Sequence, residues 1–169
     1  KDKMFEYAED FRTIYNKAWT SHSNFKGMPA SQARSIMRKM KPVMDENLIW
    51  FAYYENEPVA FFIALPELNQ IFKHINGNLN WIGKLKFLYH KWKGSCDNVF
   101  GLAFGVSPEH QKKGWAKKLM DFAEDYAIKN GNFSIRLDTF SQNKRNNRFY
   151  QARGFARLGD VYFIKQSTF

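Results

Sequence analysis

Val99-Phe100-Gly101-Leu102-Ala103-Phe104-Gly105-Val106-Ser107-Pro108-Glu109-His110-Gln111-Lys112-Lys113-Gly114-Trp115-Ala116 is the stretch on which the reading of this chain turns. Its opening run, Val99 to Val106, is apolar and glycine-containing, as a buried strand is. A loop with Pro108 and Gly114 follows. From Trp115 to Asn130 the pattern becomes that of an amphipathic helix, with Trp115, Leu119, Met120, Ala123, Tyr126 and Ala127 on one side. Asn130-Gly131 is a C-terminal stop. A strand, a tight loop and a helix N-terminus make an anion site. The helix dipole and the unpaired N–H groups of the first turn point at one spot. Gly114 lets the backbone approach closely, and Ala116 keeps its position small.

The charges around this loop sharpen the reading. Helix N-termini favour Asp and Glu. Here Lys112, Lys113, Lys117 and Lys118 crowd the positive end instead, an unfavourable arrangement unless an anion sits there. The plainer alternative is four solvated lysines, with Lys117 paired to Asp121 one turn on.

Downstream, Ser134 to Thr139 reads as a strand. Asn143 follows it, and a short helix runs from about Lys144 to Ala152, ending at Gly154. Val161 to Lys165 reads as a last strand. Taken together, Val106-Ser107-Pro108, Gln111-Lys112-Lys113-Gly114-Trp115-Ala116, Asn143, Phe149-Tyr150 and Gly154-Phe155 resemble the signature of the GNAT (general-control-type) N-acetyltransferases. The resemblance covers Val99 to about Phe163. It implies an α/β fold with a central mixed, twisted sheet flanked by helices, in which the Val99 and Ser134 strands are parallel neighbours that splay apart.

The resemblance also implies a chemistry. Acetyl-CoA, or another acyl-CoA, would be the co-substrate. The backbone of Phe104, Gly105 and Val106 would pair with the pantetheine arm. The N–H groups from Gln111 through Lys112, Lys113, Gly114 and Trp115 to Ala116 would bind the pyrophosphate, with Lys117 nearby. Asn143 would hydrogen-bond the pantetheine. Tyr150 would be the general acid that protonates the departing thiolate, which suits a phenol with an ordinary pKa near 10; otherwise it is a core tyrosine on a short helix. The acceptor would be a primary amine of a small molecule or peptide, attacking the thioester directly while an N–H near Val106 polarises the carbonyl. The base is open: Val99 to Val106 holds no carboxylate, and Glu67 and Asp97 read as surface residues. A CoA-binding module without catalysis, part of a larger protein, is the competing reading.

The N-terminal half is read from its periodicities. Met4 to Trp19 is an amphipathic helix, and Ser21 to Pro29 a loop. Ser31 caps a second helix that runs to about Met40. Leu48 to Tyr54 and Val59 to Leu65 form an antiparallel hairpin across Glu55-Asn56-Glu57-Pro58. Residues 66–94 form an insert between strands, expected to be partly helical and to lie on the acceptor side. Leu79, Ile82, Leu85, Leu88 and Trp92 recur there at helical spacing. The whole chain is expected to be one domain. It opens almost inside its first helix and has no Met at position 1, so the first strand of the fold is expected before Lys1 in a longer parent. The segments Ile14 to Trp19, Asn24 to Pro29 and Leu65 to Gln70, with Asn76-Gly77, are similar to the second half of long tandem-GNAT-like bacterial proteins.

Composition bounds the rest. The 169 residues, 18% of them aromatic, argue against disorder. A formal charge of +10 favours an anionic partner. No nucleic-acid motif accompanies it, so a phosphorylated cofactor is expected rather than nucleic acid. The single cysteine, Cys96, excludes an internal disulfide framework and a multi-cysteine metal site, so no metal is expected. It also fits a reducing compartment. KDKMFEYAED has no signal-peptide core, and no apolar run reaches membrane-spanning length. A cytoplasmic protein without a membrane span is the expectation.

Overall fold

The computed structural model describes residues 3–20, 26–75 and 80–160. They fall in two compact units, Lys1–Leu137 and Asp138–Phe169.

In the first unit, α1 spans Met4–Trp19 and buries Ala8, Phe11 and Ile14 on one side. Asn16 grips the chain that follows: its amide accepts from Met28 N–H (2.7 Å) and donates to the Met28 carbonyl (3.1 Å). α2 spans Ala30–Met40. Pro29, not Ser31, holds its cap position, in an extended conformation with φ −70°. Proline there leaves no N–H orphaned.

β1 (Ile49–Tyr54) and β2 (Glu57–Pro66) form the expected hairpin. Its turn is only Glu55-Asn56, both in the left-handed region at φ 50° and 65°. Positive φ at both central residues matches the strand twist. Pro58 therefore lies in the strand, beside a register shift between Ala52 and Tyr53. β2 is buried without interruption from Val59 to Ala64, because both faces are covered. α1 and α2 pack Phe11, Ile14 and Met37 around Phe61 and Ile63 on one face. On the other, Phe62 meets Trp50, whose ring abuts Phe122 and Tyr126 of α5 (Trp115–Lys129).

β3 (Asn98–Val106) runs antiparallel to β2, and β4 (Ser134–Leu137) runs parallel to β3, giving the order β1-β2-β3-β4. The result is the mixed sheet flanked by helices that the resemblance implied. β4 stops at Leu137, two residues short of the expected Thr139. The strand expected at Val161 to Lys165 lies outside the described residues.

Between β2 and β3 come α3 (Asn69–Ile75) and α4 (Trp81–Trp92). They are tied to the start of β3. Glu67 N–H donates to the Asn98 carbonyl (2.9 Å), and Gln70 Oε1 accepts from the N–H groups of Asp97 and Asn98. α4 packs on α3 through Phe87 against Phe72 and through stacked His90 and His74, their ring centroids 4.4 Å apart. Gly83, on the same side of the helix as Phe87 and His90, is buried. The apolar series that announced this helix points the other way: Leu85, Leu88 and Trp92 are exposed. Leu79 lies outside the described residues.

The second unit contains α6 (Lys144–Ala152), with the boundaries the sequence suggested.

Candidate active site

β3 changes character halfway along. Asn98 to Gly101 pair with Ser134 to Leu137 of β4. On the β2 side, Ile63 and Ala64 oppose Ala103 and Gly101, so Leu102 is an extra, bulged residue. The bulge falls where the β4 ladder ends, as such features often do next to active sites. From Leu102 to Val106 the strand continues for roughly 13 Å at about 3.3 Å per residue. Over that length it has β2 on one side and no partner strand on the other among the described residues.

The direction of its main chain follows from one bond. Ser107 N–H donates to the Val59 carbonyl (2.9 Å). By the two-residue alternation of a strand, Phe104 and Val106 therefore turn their peptide groups away from β2, toward the open side. Gly105 has a packing reason to be glycine: a Cβ there would meet the Phe61 ring at 2.8 Å and the Trp19 ring at 3.1 Å.

The loop after β3 is fixed by its own side chains. Pro108 to His110 form a single tight turn. Ser107, almost fully buried, places its hydroxyl 3.2 Å from His110 Nδ1. Gln111 Nε2 donates to the Val106 carbonyl (3.2 Å). Two positions are then left-handed, Lys112 at φ 61° and Gly114 at φ 84°. Gly114 occupies the cap position of α5, with no side-chain cap bond and no acidic residue in the first turn. The leading N–H groups of α5 lack intrahelical acceptors. Left-handed residues interleaved with ordinary ones gather successive N–H groups into a concavity that suits an anion. A Cβ on Gly114 would have nothing within 4 Å, so the backbone there is open.

The lysines divide. Lys112, Lys113, Lys117 and Lys118 are all exposed. Lys117 pairs with Asp121 at 2.9 Å, as the plainer alternative required. Lys118 lies 4.9 Å above the Trp115 ring, a cation–π contact. Trp115 in turn meets Tyr54, while Ala116 is half-buried.

In the second unit, Asn143 caps α6: its Oδ1 accepts from Asn146 N–H at 3.1 Å. Asn147, which the sequence reading passed over, donates from Nδ2 to the carbonyls of Phe140, Ser141 and Asn143. Its spacing of four from the cap was the available clue. Tyr150 is buried, with the rings of Phe149 and Phe155 at 5.4 and 5.7 Å. Burial pushes its phenol above the ordinary value, so it holds its proton at neutral pH.

Of the two carboxylates considered as bases, Glu67 is not a surface residue. It is 5% exposed. Asn69 Nδ2 donates to it at 2.8 Å, and Arg136 of β4 approaches at 3.4 Å. Asp97 is exposed and bonds to Gln70. The Cys96 thiol, half-buried and pushed up by burial and then by Glu67 and Asp97, stays protonated; it is a poor nucleophile. A concavity of about 870 Å³ runs along β1, with Tyr7, Met44, Trp50, Trp115 and Lys118 among its walls, so it reaches the first turn of α5. No group of metal-ligating side chains occurs among the described residues.

Residues 8–155 match the acetyltransferase (GNAT) family, and the chain belongs to it. Among curated proteins, a bacterial ceramide synthase of Caulobacter vibrioides is 28% identical over 95 residues, 54% of this chain and 25% of that protein. Protein YghO of Escherichia coli is 24% identical over 111 residues, 66% of this chain and 28% of that protein. The chain thus spans about a quarter of the length of the curated relatives it matches. Among solved structures, AAC(6')-Iy in complex with a CoA-containing bisubstrate analog superposes with a TM-score of 0.60 at 17% identity, covering 96% of this chain and 93% of that one. No helix among the described residues is long and apolar enough to cross a membrane.

Proposed function

We propose that this domain transfers an acetyl or other small acyl group from acyl-CoA to a primary amine, of a small molecule or a peptide, by direct attack on the thioester. The observation that carries the reading is the open half of β3, whose peptide groups at Phe104 and Val106 face the side β4 has left. The pantetheine arm would complete the ladder there as a substitute strand. The left-handed loop and the start of α5 would hold the pyrophosphate on N–H groups from Gln111 to Ala116. Lys112, Lys113 and Lys117 would offset its charge, and Asn143 would bond the pantetheine.

The chemistry assigned to the residues is modest. An amine with a pKa near 10 reaches the thioester after losing a proton. The carbonyl oxygen is stabilised by a main-chain N–H near Val106. Tyr150, held protonated by burial, gives its proton to the leaving thiolate. No covalent enzyme intermediate is required, in keeping with a protonated Cys96. Within β3 there is no carboxylate to act as base, and this favours the second reading, a CoA-binding module without catalysis.

The test measures free thiol released from acetyl-CoA with a panel of amines, alongside the melting temperature with and without CoA. Amine-dependent thiol release supports the enzyme. A thermal shift with no release for any amine supports the binding module. A melting curve indifferent to millimolar CoA overturns both.

A further inference from the structure

We propose that α4 is a membrane-surface helix that docks this protein onto bilayers rich in anionic lipid. Trp81, Leu85, Leu88 and Trp92 follow one another at intervals of four, three and four residues. At 100° per residue they lie within a narrow stripe. They are 72%, 58%, 60% and 86% exposed. The opposite side of the same helix, with Gly83, Phe87 and His90, is the side that packs on α3. The outward stripe is therefore not an accident of a loosely attached helix. The helix has an inner face already satisfied and a second apolar face directed to solvent.

The surroundings of the stripe identify the occupant. Lys84 lies on one flank; on the other, exposed Ile82 and Tyr89 widen the apolar surface before Lys86 is reached, and Lys93 follows the end of the helix, all three lysines being exposed. From Leu68 to Cys96 the sequence contains no Asp or Glu, and five lysines. An exposed apolar face set among lysines, on a segment without a carboxylate, is complementary to an anionic headgroup layer. Long lysine stems reach up to headgroups while the apolar stripe sinks below them. Tryptophan at each end suits the boundary between headgroups and acyl chains. The stripe runs about 16 Å, from 1.5 Å per residue, with the helix lying in the plane of the surface.

The experiment uses the full chain and vesicles of phosphatidylcholine alone or with phosphatidylglycerol. Sedimentation with anionic vesicles, weak or absent with neutral ones, is expected. Brominated acyl chains should quench Trp81 and Trp92 fluorescence, and the quenching should fall in Trp81→Phe/Trp92→Phe. Leu85→Glu/Leu88→Glu touches only exposed positions. It should reduce vesicle partitioning at least tenfold, as loss of two apolar anchors implies, while the melting temperature changes little. Lys84→Gln should lower partitioning about fivefold, the effect of one basic residue near an anionic surface. Binding that persists in Leu85→Glu/Leu88→Glu, or that ignores lipid charge, overturns the proposal. So does self-association that the same double variant abolishes without any vesicle binding, which would make the stripe an interface between copies.

Discussion

The strand β3 and the loop that leads from it into α5 use the same kind of residue to opposite ends. In the half that pairs with β4, Gly101 is hemmed in: a Cβ would lie 2.9 Å from the Phe62 ring and 3.4 Å from the Arg136 carbonyl. Just past the other end, Gly114 faces open space. The first glycine is small so that the protein can close on itself. The second leaves room for something that is not protein. The packed strand and the open loop should therefore respond differently to substitution, and Gly105, against Phe61 and Trp19, belongs with Gly101 on the packed side.

The largest expected effect lies on the functional side alone. Tyr150→Phe keeps the ring and its contacts with Phe149 and Phe155, so CoA should still raise the melting temperature while turnover falls by roughly 10²–10⁴. Normal turnover would leave the binding site standing and remove the tyrosine from the chemistry. Next comes Gly114→Val. At a hundredfold excess over Kd, CoA should stabilise the wild-type fold by about 2.7 kcal/mol, and this variant should lose that gain. Its own stability should fall by only about 1–2 kcal/mol, the cost of a left-handed residue with a Cβ, since nothing stands near enough to clash. Retained CoA stabilisation would show that the loop is not where the ligand lies.

Gly101→Ala should give the mirror image: a loss of about 1–3 kcal/mol from overpacking, read by urea melts, with the CoA shift intact. An alkaline titration comes next. Burial raises the Tyr150 pKa above its unfolded value, so above pH 10 the unfolded chain ionises first. Folding stability should then decline by up to about 1.4 kcal/mol per pH unit for this one group. Tyr150→Phe should remove that share of the decline and leave the part due to Tyr53 and Tyr126, whose phenols are also raised by burial. Smallest is Lys117→Ala. Its exposed pair with Asp121 is worth at most about 0.5 kcal/mol, so stability should scarcely move. If the lysine also meets the cofactor's phosphates, CoA affinity should weaken at low salt and the difference should shrink at high salt.

The strand β3, its loop and α5 were legible because each rests on local signals, whereas the opening of β3 came from the resemblance. An apolar run, a proline, glycines and a helical period all fall within one short stretch. The parallel neighbour at Ser134 came from the resemblance rather than from any residue property. Three features escaped. Periodicity located α4 but could not say which way its apolar stripe faced, because a period carries no information about where the core lies. Glu67 read as a surface carboxylate because the arginine beside it is 69 residues away in sequence. Pro29 displaced Ser31 as the cap because a hydroxyl is only one way to start a helix.

The bulge at Leu102 has a consequence for how this protein can vary. Beyond it, what β3 offers on its open side is peptide N–H and C=O, which every residue carries in the same place. Recognition by such groups is encoded in backbone path, not in side-chain identity. Substitutions at Phe104 or Val106 that preserve the path leave the donors and acceptors where they were. Lineages can then diverge at such positions, while Gly101 and Gly105 stay fixed by packing, and still offer a ligand the same row of contacts.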